Sequence, residues 1–181
     1  MSEPLRRRLR YQVASSLDGF IAAEDGSYDW IPMDPAIDFG ALFAQFDTLI
    51  MGRKTFETMQ AYEGGVDAEG VYGKQTYVFS TTLDASAHPN VTVERGDLAG
   101  VVARLRADTG RKDIWLFGGG DLFRQCIDLG LVDTVEVAVV PVMLGTGIPL
   151  LPKGSRVALE LTATKTYEGT GTVLLEYAVR R

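Results

Sequence analysis

The stretch Ile114-Trp115-Leu116-Phe117-Gly118-Gly119-Gly120-Asp121-Leu122-Phe123-Arg124-Gln125-Cys126-Ile127 decides the architecture. A short apolar run of strand length breaks into three glycines, and Leu122, Phe123, Cys126 and Ile127 then share one face of a helical period, so the segment reads as strand, tight turn and helix. Glycines let the backbone approach a ligand without an intervening Cβ, and the free N–H groups at a helix start point at whatever anion lies there. The turn is therefore a candidate phosphate cradle. The alternative is a strand-to-helix turn with no ligand, against which stands the backbone entropy that consecutive glycines give up on folding.

The same logic recurs upstream. Thr48-Leu49-Ile50-Met51 reads as a short buried strand, and Gly52-Arg53-Lys54-Thr55 opens a helix from Phe56 to about Tyr62. Leu9 to Ser15 alternates as a strand placed in mid-sheet, followed by a turn-rich loop through Asp18-Gly19 and Asp25-Gly26. Ile37, Leu42, Phe43 and Phe46 fit a helical face ending at Asp47, and Glu63 to Gly73, with four glycines, reads as a mobile surface segment. Thr76 to Ser80 and Val91 to Glu94 are strand-like, and Leu98, Val101, Val102 and Leu105 give a helix stopped near Gly110. The Val-rich run Thr134 to Val142 reads as a buried strand entering a second glycine loop, Met143 to Pro149. Val157 to Tyr167 and Thr172 to Val179 alternate around Glu168-Gly169-Thr170-Gly171 as an antiparallel hairpin. The sum is an α/β protein, a three-layer α/β/α sandwich with a mostly parallel central sheet and an antiparallel C-terminal hairpin. Ligands of such sheets bind beyond the carboxyl ends of the strands, so both glycine junctions fall on one rim, and Arg53 and Lys54 suit a ligand with more than one phosphate.

Composition bounds the rest. A chain of 181 residues predicts one domain, here 9–181, behind a solvated, flexible basic leader at 1–8 carrying Arg6, Arg7 and Arg8. No apolar run approaches the roughly 20 residues of a membrane helix, and no signal-peptide pattern opens the chain, which predicts a cytoplasmic protein. The net charge of −6 opposes non-specific binding to nucleic acid or anionic membrane. A single histidine, His88, and a single cysteine, Cys126, far apart in the chain, predict no zinc site of the usual type and no disulfide. A Walker A loop is excluded because Ala68 and Gln75 stand where its first glycine and its hydroxyl belong; a Rossmann fingerprint is excluded because the glycines are contiguous and late in the chain.

The ordered set Ala14-Ser15-Ser16-Leu17-Asp18-Gly19-x-Ile21-Ala22, Ile50-Met51-Gly52-Arg53-Lys54-Thr55, Phe117-Gly118-Gly119-Gly120 and Pro141 to Pro149 resembles the dihydrofolate reductase superfamily, and within it the branch related to the reductase domain of riboflavin biosynthesis. The resemblance implies NADPH lying across the rim. Gly52, Arg53, Lys54 and Thr55 would bind phosphates, including the 2′-phosphate, with Ser80 and Thr81 beside the adenosine end. Gly118, Gly119, Gly120, Asp121 and Leu122 would hold the pyrophosphate and nicotinamide side, while Ala14, Asp18 and Gly19 flank the nicotinamide ring. Asp38 aligns with the family carboxylate to within a residue, making it the candidate proton donor ahead of Asp34 and Asp29, with a first-turn helix residue as the alternative reading. Trp30 falls where the family keeps a tryptophan, and Phe20, Trp30, Tyr28 and Tyr62 could stack on a flat heterocycle as substrate-binding residues. Three departures bear on the substrate. Ala138 stands where a supporting threonine belongs, Lys74 near the folate-tail arginine, and Phe20 at a riboflavin-pathway lysine; they argue against folate and against the riboflavin-pathway substrate. The family also implies a homodimer. The expected function is NADPH-dependent reduction of a pterin-like or pyrimidine-like heterocycle, with a catalytically inactive NADPH-binding sensor or scaffold as the rival.

Overall fold

The computed structural model describes residues 6–62, 65–108 and 111–180. The strands are β1 (Leu9–Ser16), β2 (Phe20–Ala22), β3 (Phe46–Gly52), β4 (Val66–Asp67), β5 (Gly70–Val71), β6 (Gln75–Phe79), β7 (Thr92–Glu94), β8 (Asp113–Gly118), β9 (Thr134–Val140), β10 (Ile148–Pro149), β11 (Leu159–Tyr167) and β12 (Thr172–Val179). The helices are α1 (Phe39–Phe43), α2 (Arg53–Ala61), α3 (Leu98–Ala107) and α4 (Gly120–Asp128). An eight-stranded sheet runs in the order β11-β12-β9-β1-β8-β3-β6-β7. Neighbours from β9 through β7 are parallel, and β12 and β11 add antiparallel to the β9 edge.

Side chains alternate across each strand, and the two faces bury two different sets. Ile114 and Leu116 of β8, Ile50 of β3 and Tyr77 of β6 pack with Val101, Val102 and Leu105 of α3 and Leu122, Phe123 and Cys126 of α4. Trp115 of β8, Leu49 and Met51 of β3 and Val78 of β6 pack on the other side with Phe56 and Met59 of α2 and with Leu42 and Phe43 of α1. This is the expected three-layer sandwich. Phe56 is fully buried; replacing such a residue with alanine costs about 3–5 kcal/mol.

Three expectations change. The helix expected as far as Phe46 is the short α1, because Phe46 is taken as the first residue of β3 and buried beneath Trp115, at 4.9 Å between ring centroids. The segment expected to be mobile instead forms the β4–β5 hairpin, with Val71 fully buried and its N–H donating to Thr76 Oγ1; Glu63 and Gly64 lie outside the described residues, as does the Gly110 helix stop. Residues 1–5 of the basic leader are outside them too. Its remaining arginines are not a solvated tail. Arg7 is 3% exposed and donates to the carbonyls of Lys112 and Leu105 and to Asp47 and Thr48. The physical reason is the set of carboxylates at the amino ends of the strands, which need buried cations as partners. The expected antiparallel hairpin is present, with β11 exposed on both faces from Leu159 to Thr166.

Candidate functional site

The parallel strands β3 and β8 are neighbours, and Met51 pairs with Gly118, so the two glycine junctions end side by side. Gly52 caps α2 in an extended conformation, Gly119 caps α4 likewise, and neither helix start is satisfied by a side-chain cap. Each helix therefore presents its first N–H groups outward, with the positive end of its dipole behind them. Gly118 has φ +140, a conformation L side chains rarely adopt, and the Gly118–Gly119 peptide is cis. A Cβ on Gly119 would meet only Thr55 Oγ1, at 3.3 Å, and a Cβ on Gly52 nothing within 4 Å, so Thr55 links the junctions while the space before them stays open. Gly120 is different: a Cβ there would lie 2.6 Å from the Pro149 carbonyl oxygen, so its glycine serves packing. Leu122 is buried in the core beneath α4 and its side chain cannot face a ligand, whereas Asp121 is exposed in the first turn.

Arg53 is half-exposed and donates to both carboxylate oxygens of Glu57, at 2.7 and 2.9 Å, one helical turn on. Lys54 is exposed. Ser80 Oγ accepts from the N–H groups of Thr82 and Leu83, and Arg95 donates to the carbonyls of Thr81 and Leu83, so this loop is shaped from behind by an arginine that no motif singled out.

The first loop is fastened to the second glycine loop. Asp18 accepts from the N–H groups of Leu144 and Gly145 at 3.1 and 2.7 Å; its bonds to the Ser16 hydroxyl and to these amides hold its carboxyl below the usual range. Gly19 O accepts from Leu150, and β2 pairs with β10. Ala14 lies directly opposite Ala138 on β9, and Phe20 is paired with Pro149.

Beyond Phe117 an aromatic wall continues the glycine turn. Tyr72 stacks on Phe43 at 5.0 Å and meets the edge of Phe117 at 5.9 Å. Burial, together with the nearby Tyr62 and Tyr28 hydroxyls, pushes the Tyr72 phenol up. Tyr28 and Tyr62 are 42% and 53% exposed. Tyr72 was missed by sequence reasoning because its segment read as a loop; the aromatic side chain just before Gly73 was the available signal. Trp30 Nε1 is buried and, among the described residues, finds no acceptor.

The acids divide. Asp38 is exposed and caps α1, accepting from Ala41 N at 2.9 Å, the structural role weighed against proton donation. Asp34 is buried and accepts from Ala36 N and from Thr170 Oγ1 in the β11–β12 turn, which hold its carboxyl below the usual range. Lys74 does not reach this rim. It precedes β6, and its ammonium donates to Phe46 O at the start of β3, the opposite end of the sheet.

This geometry defines an α/β protein with a double glycine cradle on its carboxyl rim. The family model of the RibD C-terminal domain matches residues 7–175, and the chain belongs to that family. It is 35% identical over 181 residues, 95% of both chains, to the uncharacterized protein YyaP of Bacillus subtilis. The structure of a Shewanella sp. PV-4 protein, provisionally described as a riboflavin biosynthesis protein, is similar with TM-score 0.80 at 26% identity, over 96% of this chain and 99% of its own. A diaminohydroxyphosphoribosylaminopyrimidine deaminase/5-amino-6-(5-phosphoribosylamino)uracil reductase from Thermotoga maritima shares the fold with TM-score 0.73 at 16% identity, over 97% of this chain and 57% of its own. Among the described residues, no helix is long and apolar enough to cross a membrane.

Proposed function

We propose that this protein is an NADPH-dependent reductase of a flat, pyrimidine-like or pterin-like heterocycle. The observation that carries the reading is the pair of helix starts at Gly52 and Gly119, both without side-chain caps and joined through Thr55, with Arg53 and Lys54 on the first turn of one of them. Two adjacent sets of unspent N–H donors suit a pyrophosphate, and the cations suit an additional phosphate such as the 2′-phosphate that separates NADPH from NADH. A Cβ on Gly52 would meet nothing within 4 Å, which leaves that helix start open to a phosphate. NADPH, when bound, supplies the hydride.

The chain's own residues position the reactants. The Asp18 tether sets the first loop against the Leu144–Gly145 turn beside Gly19 and Ala14. Phe20, Trp30 and Tyr62 offer faces to the ring, and the orphaned Trp30 N–H is a donor for a substrate acceptor. Asp38, at the start of α1, is the candidate proton donor. The protein acts in the cytoplasm as a homodimer, and the exposed β11 edge, including Leu161 at 54% exposure, is the sheet surface available for pairing.

The test is titration of NADPH and NADH while following tryptophan fluorescence. NADPH is expected to bind more tightly; NADH preferred over NADPH removes the role of Arg53 and Lys54, and no binding of either removes the reading. The register of Ala14 opposite Ala138, with no hydroxyl at either position, favours a second reading, a cofactor-binding sensor without turnover. NADPH oxidation separates the two. Asp38→Asn keeps a capping side chain and is expected to lower turnover with little change in Tm; unchanged turnover removes the acid assignment.

A further inference from the structure

The rim is short of cations. Residues 11–52, which include the first loop and α1, hold seven acidic side chains, of which Asp47 belongs to the amino end, and no Lys or Arg, and residues 55–73, which include Tyr62 and Tyr72, hold four acids and again no Lys or Arg. The turn and helix start at 113–123 and the second glycine loop at 141–152 contain neither Lys nor Arg. The cations that adjoin these segments at the rim are Arg53 and Lys54 at the start of α2, Arg124, which is buried and paired with Asp128, and the exposed Lys153. Arg95, behind the Ser80 loop, donates to the Thr81 and Leu83 carbonyls, and Lys165, near the β11–β12 turn, sits over the Tyr167 ring at 4.7 Å and helps hold the Asp34 carboxyl down.

A phosphate carried out of water needs cations or several aimed N–H groups, and an acidic surround raises the cost of bringing one in. The aromatic wall provides something else: the Phe43, Tyr72 and Phe117 rings, with the phenol of Tyr72 among them. Rings stack on a planar molecule, and phenols both donate to and accept from neutral amides and hydroxyls. We propose that the substrate is a planar heterocycle bearing no phosphate or other anionic group, held by the Phe117–Tyr72 wall and by the Tyr72 hydroxyl. This rests on the reductase reading, in which Arg53 and Lys54 serve the cofactor. Tyr72 is then a specificity-determining residue.

The experiment uses the full chain saturated with NADPH, after NADPH binding has been measured separately, so that failure of the cofactor reading appears before any second ligand is added. Two matched pairs, uridine with uridine 5′-monophosphate and riboflavin with riboflavin 5′-phosphate, are titrated by tryptophan fluorescence. In at least one pair the phosphate-free member is expected to bind about tenfold or more tightly than its phosphate. Tyr72→Phe, which keeps the stacking ring, is expected to weaken that member about three- to tenfold while leaving the NADPH Kd unchanged. Equal or tighter binding of the phosphates overturns the proposal, as does failure of both phosphate-free members to bind. Unchanged affinity in Tyr72→Phe overturns the role of the tyrosine.

Discussion

The two ends of the sheet treat charge in opposite ways. At the amino ends of the strands, Arg6 pairs with Asp133, Arg7 and Arg111 with Asp47, Arg8 with Asp113, and Arg10 with Glu136 and Asp113. A recess of about 360 Å³ lies there, lined by Arg6, Arg7, Arg8, Arg10, Arg111 and Lys112 among others. At the carboxyl ends, Arg53 holds only a surface pairing with Glu57, and Lys54 is exposed. Both helix starts there are also without side-chain caps. Counting arginines points to the first end as an anion site, but counting unspent donors points to the second. Charge already committed to buried carboxylates holds the sheet together, whereas uncommitted N–H groups and cations are what a ligand can use.

The hardest way to break this comparison is to remove Arg10. Its guanidinium makes two 2.7 Å bonds to Glu136, whose side chain is 4% exposed, and a further bond to Gln45. Arg10→Ala strands a buried carboxylate and is expected to cost about 3–5 kcal/mol. For a chain of this size that is a fall in Tm of roughly 6–20 °C, read by calorimetry. NADPH affinity of the folded protein is expected to stay unchanged, because the pair lies at the far end of β1. A double replacement, Arg10→Met with Glu136→Leu, is expected to recover most of the loss. A Tm within a degree or two of the parent in Arg10→Ala shows that the amino-end arginines are not structural.

The converse experiment is at the other end. Arg53→Gln with Lys54→Gln removes two cations from the first turn of α2 and is expected to weaken NADPH binding by roughly 10–100-fold while leaving NADH little changed. The exposed i,i+4 pair with Glu57 contributes only a few tenths of a kcal/mol, about 0.2–0.5, so Tm is expected to move by a degree or two at most. A large stability loss with intact NADPH affinity inverts the comparison.

What the sequence disclosed follows the same division between local and distant causes. Both strand–glycine–helix junctions were legible because the change from a period of 2 to one of 3.6 is written within a dozen residues, and Gly118 and Gly119 lie where that pattern places the cradle. The burial of Arg7 was not legible, since its partners Asp47 and Leu105 are 40 and 98 positions away. Gly120 looked like its neighbours; only the approach of the Pro149 carbonyl separates it from them. The Phe43, Tyr72 and Phe117 wall draws on a short helix, the residue after a two-residue strand and a central strand, and no period connects them.

The smallest effect concerns how the carboxyl rim is held in shape. Asp18 bridges the first loop to Leu144 and Gly145, and its carboxyl lies below the usual range because the Ser16 hydroxyl and the amides of Gly145 and Leu144 bond to the ionised form. A carboxyl lowered in the folded state contributes its tether fully above its unfolded value, about 4, and loses it as pH falls through the lowered folded value. Hydrogen exchange at the Leu144 and Gly145 amides, corrected for the intrinsic rate, is therefore expected to show protection that is constant from pH 7 to about 5 and declines below about 4. Asp18→Asn places an amide N–H where one of these donors needs an acceptor, so protection of that one amide is expected to be low at every pH, with NADPH binding weakened less than in the Arg53→Gln, Lys54→Gln protein. Full protection of both amides in Asp18→Asn shows that the glycine loop holds its own shape without the Asp18 tether.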